Sequence, residues 1–419
     1  MLASRLVETV VPARLGSGFR WLLASSWTSN VGDGIALAAG PLLIAAQTDD
    51  ARLVALAAVL QRLPWLLLGL PAGAIADRVD RRLLVMLADL MRAGVLVVLC
   101  LSISTGHLGI AVVLVAMFAL GVAEVFADTT SATLTPMLVP PAHLGIANAR
   151  LQAGFLTANQ LLGPPVGAFL FAAGMAWPFM VQIVTVLLAV VLVSRIGTAA
   201  GGVRGETDTH LLADIRDGLS WLLHHSAMRT LALVIFTFNI TWGAAWSVLV
   251  LWSLDRLHMG EVGFGLLTTA AAVGGLVGTA SYDWLERRFS MAALMKACLL
   301  LEVVMHLGLA LTTVGWVALA IMVGFGAYAF VWYSVSVTVR QRAVPTEFQG
   351  RVGSTYTVAV FAGLVIGQVL GGFIAHRWGL AAPFWFAFVG SGLTLALVWA
   401  QLDQIARPGA EPHPEAERG

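Results

Sequence analysis

Charge is scarce in this chain. Only 11% of its 419 residues are Asp, Glu, Lys or Arg, and a single lysine stands beside 23 arginines. That lysine, Lys296, follows Met295, so the Gly-Lys-[Ser/Thr] of a phosphate loop is missing and an ATP-driven pump is excluded. Two cysteines, Cys100 and Cys298, both inside apolar runs, exclude a disulfide framework and a cysteine metal site. H-E-x-x-H and G-x-S-x-G are absent, and the His224-His225 pair has no third ligand in sight. No enzyme activity, metal or cofactor is therefore expected. A formal net charge of +1, without a basic patch interleaved with aromatics, excludes nucleic acid as a partner. The first twenty residues hold no apolar core ahead of an A-x-A-like site, so no cleaved signal peptide is expected.

What the chain has instead is apolar sequence. Hydrophobic residues make up 59% of it and the mean hydropathy is +0.87. Uncharged runs recur from residue 21 to residue 402, more than one soluble core can bury. Crossing a bilayer takes about 20 apolar residues in a helix, and these runs lack the short alternation of a barrel. Twelve spans are expected, starting near residues 21, 53, 83, 108, 145, 177, 228, 261, 291, 315, 350 and 381. With a cytoplasmic N-terminus, thirteen loop arginines, Arg5, Arg78, Arg204 and Arg340 among them, fall on the inner side, while the outer loops hold mainly Arg52, Arg256 and Arg377. The positive-inside rule then places both termini in the cytoplasm. Abundant Arg, Ala, Val and Gly hint at a GC-rich bacterial genome, and a bacterial inner membrane is the expected location.

The one long polar interruption, residues 197–226, opens Gly-rich and closes with an amphipathic helix from about Thr209. It divides an N-terminal segment (1–20) and a six-helix bundle (21–196) from a second bundle (227–404) and a polar, Pro-rich, disordered tail (405–419). The halves echo each other at an offset of 205, pairing Gly73 with Gly278, Arg82 with Arg287, Val139-Pro140 with Val344-Pro345, Gly145 with Gly350 and Gly167 with Gly372. Repeated halves around a midplane site are how secondary transporters are built.

Between spans 2 and 3 the stretch GAIADRVDRR, residues 73–82, gathers five charges into six positions. Gly73, Asp77, Arg81 and Arg82 resemble the G-x-L-a-D-r-x-G-R-[KR] loop of the major facilitator superfamily, with a weaker echo in GTASYDWLERR, residues 278–288. Asp80 stands where that family has glycine, and its tolerance of the left-handed conformation is expected to preserve the turn. SNVGDG (29–34), NQLLGPPVGAFL (159–170) and LVPPAHLGIANARLQ (138–152) are similar to the drug- and siderophore-exporting branch. The resemblance implies an all-α fold of two pseudo-symmetric six-helix bundles. It also implies a conformational latch at Gly73, Asp77, Arg81 and Arg82, supported by Asp89 and Arg92 and facing Arg351, and an exporter-type motif at Gly163, Pro164 and Gly167.

An ionisable side chain at the bilayer centre costs about 2.5–3.5 kcal/mol on insertion scales, so each one asks for a partner or a purpose. Rise along the helices brings Asp33 and Arg62 to similar mid-depth, as a static ion pair or as a proton-coupling site. Glu124 and Asp128, four apart, share a helix face; Glu124 is expected to function, and Asp128 to pair with Arg92. Asp89 and Arg92 form an intrahelical pair, and Glu302 and His306 a mutually hydrogen-bonded one.

Asn239, Trp242 and Trp246 make one stripe, and Tyr328, Trp332 and Tyr333 another. The family lines its cavity with helices 1, 4, 7 and 10, which implies a substrate cavity of Asn30, Asp33, Arg62, Glu124, Asn239, Trp242, Trp246, Tyr328 and Trp332. The expected protein is a monomeric, proton-coupled exporter of amphipathic small molecules, with Asp33, Glu124 and Asp128 carrying the protons. A siderophore is the alternative cargo, and a channel or non-transporting receptor the alternative class.

Overall fold

The computed structural model describes residues 15–76, 78–197, 219–345 and 348–405. Its helices are α1 (Gly16–Ala45), α2 (Ala51–Ala76), α3 (Arg81–Ser104), α4 (Ile110–Leu138), α5 (residues 144–173), α6 (Trp177–Ser194), α7 (Ser226–Trp246), α8 (Gly260–Arg288), α9 (Met291–Leu311), α10 (Gly315–Ala343), α11 (Gln349–Trp378) and α12 (Ala382–Val398). Every expected span has its helix, with starts within three residues except α1, which begins five residues early. Among the described residues nine helices are long and apolar enough to cross a membrane. The other three have identifiable reasons for falling short. Helix α1 carries Ser25, Ser26, Ser29, Asn30 and Asp33, α5 is broken into three parts, and α12 has 17 residues.

Local chemistry sets the helix ends. Asp80 caps α3 by accepting the Leu83 N–H at 3.1 Å, and Ser290 caps α9 by accepting that of Ala293 at 3.2 Å. At Asp80 the backbone is extended (φ −62°, ψ 111°), not left-handed. The aspartate that replaces the family's glycine thus serves as an N-cap, which corrects the expectation of a left-handed turn. Helices α4 and α10 both end on an extended valine, Val139 and Val344, whose N–H still reaches back to Thr135 and Arg340. A following proline drives each valine out of the helical region, so the repeated Val-Pro has one physical meaning in both halves.

Helix α5 runs as α-helix Leu144–Gly154, π-helix Phe155–Leu162 and α-helix Gly163–Ala173. Pro164 and Pro165 bring no N–H to the ladder, so the hydrogen-bond register changes where they enter. Just there α5 crosses α1 at backbone contact. A Cβ on Gly163 would run into the backbone of Gly34, and one on Gly167 into that of Ile35. The same crossing recurs between α11 and α7, where Gly363 lies on Asn239 and Gly367 on Ile240. By contact, then, Gly167 answers to Gly367, not to the expected Gly372. Helices α1 and α7 keep the offset of 205, whereas α5 and α11 are offset by 200.

The helices group into two compact units, one of residues 1–207 with 250–269, the other of 208–249 with 270–419. In the first, α1 packs on α5 and α6, and α2 and α3 both pack on α4. Leu15, Phe19, Leu22, Val85, Leu134, Val139, Val193 and Ile196 close one end as a buried cluster. The opening turns of α8 belong here too, with the Thr269 hydroxyl donating to the Leu161 carbonyl at 3.5 Å. In the second unit, α7 packs on α11 and α12, and α9 lies against α10 and α12. His225 caps α7 and stacks on Trp221 of the linker, with ring centroids 5.0 Å apart. The linker up to residue 218 and the tail beyond 405 lie outside the described residues.

Candidate functional site

Within the first unit α1 to α6 enclose a cavity of about 700 Å³. Six charged side chains line it, Asp33 from α1, Arg62 from α2, Asp89 and Arg92 from α3, and Glu124 and Asp128 from α4. Four acids and two bases are gathered here in a chain that is otherwise poor in charge. Asn30 from α1 and Gln182 from α6 add amides, and Leu22, Leu37, Met117, Leu120, Phe155 and Phe179 add apolar wall.

Arg92 is the hub. Its side chain, 5% exposed, pairs with Asp33, donates to Asp89 Oδ1 at 3.3 Å and to Ser29 Oγ at 3.4 Å. Ser29 in turn donates to Asp33 Oδ2 at 3.0 Å, and the Gln182 amide approaches Oδ1 at 3.5 Å. A buried guanidinium with five donors is satisfied by such a fork of acceptors, and the acids by it.

This arrangement corrects two expected pairings. Asp33 pairs with Arg92 instead of Arg62; α2 lies against α4, where Arg62 comes within electrostatic reach of Glu124. Depth along a helix placed Asp33 and Arg62 at one level but did not say which faces meet. Asp128 makes no hydrogen bond to Arg92, which bonds Asp33, Asp89 and Ser29; it stays exposed to the cavity, close enough to feel the charge of Glu124. The Asp89–Arg92 pair is present, but as part of this cavity. Ser29 and Gln182 were missed as network members. Ser29 stands four residues before Asp33, and Gln182 interrupts the apolar run of α6, the two signals that point to them.

At the loop between α2 and α3, Asp77 lies outside the described residues, as does any contact it makes with Arg351. Arg81 donates through Nε to the Ala76 carbonyl at 3.2 Å and approaches Met137 Sδ at 2.6 Å. Arg82 donates to the Ile196 carbonyl at 2.8 Å, beyond the end of α6. The two arginines thereby tie the ends of α2, α4 and α6 to the start of α3. Gly73 faces Thr129 with room for a Cβ at 3.9 Å. Arg351 lies over the Phe348 ring at 5.9 Å.

In the second unit the Trp242 and Trp246 rings stack at 4.9 Å, and both reach Phe325, at 6.2 and 5.8 Å. Phe325 meets Tyr328 edge-on at 5.6 Å. The stripe thus packs into one aromatic wall. The Asn239 amide bonds back to the Ile235 carbonyl of its own helix at 2.7 Å, Trp332 is half-buried, and Tyr333 points away, 67% exposed. Glu302 and His306 do not join side chain to side chain. His306 Nδ1 bonds the Glu302 backbone carbonyl at 2.9 Å, the acceptor a residue four positions on reaches most directly in a helix.

Comparison with known proteins agrees with this architecture. The chain is 28% identical over 384 residues to the multidrug efflux pump Tap of Mycolicibacterium fortuitum, covering 87% of this chain and 90% of that protein. It is 22% identical over 379 residues to macrolide efflux protein A of Streptococcus pyogenes, covering 86% and 90%. Its fold matches a bacterial homologue of the iron transporter ferroportin with a TM-score of 0.75 at 16% identity, covering 93% and 98%. Residues 9–414 match the transmembrane secretion effector family, and the chain belongs to that family of the major facilitator superfamily.

Proposed function

We propose that the protein is a secondary active exporter, located in a bacterial inner membrane with both termini cytoplasmic. It moves amphipathic small molecules, of the drug and macrolide kind named in its relatives, outward against proton entry by alternating access. The single observation that carries the coupling is the Asp33–Arg92–Asp89 fork opening on a cavity shared with Glu124 and Asp128. A carboxylate that has one internal cation to pair with, and water access through a cavity, can exchange that cation for a proton as the surroundings change. In this reading Asp33 is the exchange site. Glu124 and Asp128 set the negative potential that draws protons and cationic cargo, and Arg81 and Arg82, with Asp77, form the latch that holds one state. The apolar wall of the first unit's cavity, Leu22, Leu37, Met117, Leu120, Phe155 and Phe179, suits the apolar part of an amphipathic cargo. The protein works as a monomer on this account.

Arg62 favours a second cargo. It lines the cavity without a hydrogen-bonded ion-pair partner among the described residues, and an anionic metabolite such as a siderophore would meet it. The test is efflux from an efflux-deficient host across a panel of toxic compounds, with and without a protonophore. Asp33→Asn is expected to abolish uphill efflux while leaving the protein in the membrane. Undiminished uphill efflux in that variant removes Asp33 from the mechanism, and protonophore-insensitive efflux removes proton coupling altogether.

A further inference from the structure

Half of the chain's carboxamides stand in one place. It has four asparagines and ten glutamines, and three of the former with four of the latter line the cavity of the first unit. Helix α5 supplies four of them and brings no charged side chain to the cavity. Asn148, Gln152, Phe155 and Asn159 follow one another at four, three and four residues, so they form one stripe roughly 16 Å long on the cavity side of the helix. Gln160 stands beside the last of them, in the π-helical segment.

Some of these amides are satisfied within the protein and others are not. Gln160 Nε2 donates to Asn159 Oδ1 at 2.7 Å, and the Asn30 amide bonds back to the Ser26 carbonyl of its own helix at 2.7 Å. Asn148 and Gln152 are exposed and have no hydrogen-bond partner among the described residues, and neither has Gln61 of α2. On α6, the side-chain carbonyl oxygen of Gln182 is buried in the same lining without a partner. A free carboxamide presents two donors and one acceptor and carries no charge. At membrane depth such groups are costly unless water or a ligand with matching groups serves them.

We propose that the α5 stripe reads neutral oxygen, and that the cargo is therefore a polyoxygenated amphipath, with an apolar face and several hydroxyl, ester or glycosidic oxygens on the other. Hydroxyls both donate and accept, so they replace amide-bound water group for group. An apolar cation of similar size strips the same water and returns no hydrogen bond. A site whose polar groups are matched by its ligand rejects an analogue that lacks those groups, because they are then left unpaired. Phe155, 38% exposed between Gln152 and Asn159, offers an apolar contact in the middle of the stripe. The inference rests on the exporter reading in calling this ligand the cargo, whereas binding itself needs neither a proton nor a gradient.

The test is isothermal titration calorimetry of the full chain in lipid nanodiscs, without a gradient, against erythromycin, a glycosylated macrolide rich in hydroxyls, and tetraphenylphosphonium, which has no hydrogen-bonding group. Both probes carry one positive charge at neutral pH, so charge is held constant. Asn148→Leu with Gln152→Leu is expected to weaken erythromycin binding by about tenfold or more, the effect of two neutral hydrogen bonds, and to change tetraphenylphosphonium binding by less than about twofold. Equal weakening of both probes, weakening of neither, or no macrolide binding by the unsubstituted chain overturns the proposal. Should the leucine pair fail to insert, Asn148→Ser with Gln152→Ser decides by the same comparison. Protonophore-sensitive efflux scores the coupling separately, so a failure of the exporter reading and a failure of this one are told apart.

Discussion

Arg92 holds two carboxylates at once, and removing it tests the central network most sharply. In Arg92→Met the volume is roughly kept while Asp33 and Asp89 lose their cation. Breaking a buried pair by deleting one partner costs about 3–5 kcal/mol, because the remaining charge stays buried without compensation. Arg92 and Asp89 side chains are each 5% exposed, so that range applies to their bond; Asp33, 25% exposed to the cavity, contributes less. The expected loss is therefore near the lower end, about 3 kcal/mol, or roughly two powers of ten in the unfolding equilibrium. Reversible unfolding in mixed micelles measures it. Adding Asp33→Asn and Asp89→Asn to the same chain removes the orphaned charges and is expected to recover most of the loss. A loss below about 1 kcal/mol, typical of an exposed pair, refutes the network, as does a triple variant no more stable than Arg92→Met.

Two further outcomes follow from single contacts. Asp80→Ala, which deletes the cap on the Leu83 N–H, is expected to lower stability by about 1 kcal/mol, whereas Asp80→Gly costs only a few tenths. A thermal shift comparing the two variants checks the order; equal losses would mean that Asp80 does not cap α3. Glu124→Gln is expected to reduce export of a quaternary ammonium dye more than that of an uncharged dye of similar size, and an equal reduction of both would show that the carboxylate does not read cargo charge.

Much of the architecture was legible because the bilayer imposes a simple rule on sequence. Twelve apolar runs became twelve helices, and the Val-Pro pairs at 139 and 344 marked the same kind of helix end twice. The acids of the cavity were legible for the converse reason, since Asp33, Glu124 and Asp128 stand out in runs that otherwise admit no charge. Pairing was not. Residue depth follows from counting along a helix, but the partner follows from which helices touch and with which faces. So Asp33 met Arg92, not Arg62, and Asp128 was left facing the cavity. The repeat misled in one detail, where Gly372 aligned by number with Gly167 although Gly367 makes the equivalent contact.

By itself the sequence determined that the chain spans a membrane as two similar sets of helices and that a few acids and arginines lie at depth within it. Hydrophobic length and the cost of charge in hydrocarbon are properties of each segment alone. Only the tertiary structure decided that one arginine serves two acids and that the buried His306 bonds the backbone carbonyl of Glu302 instead of its carboxyl. Hydrogen bonds reach about 3 Å, and no pattern within a single helix fixes what its neighbour brings to that distance.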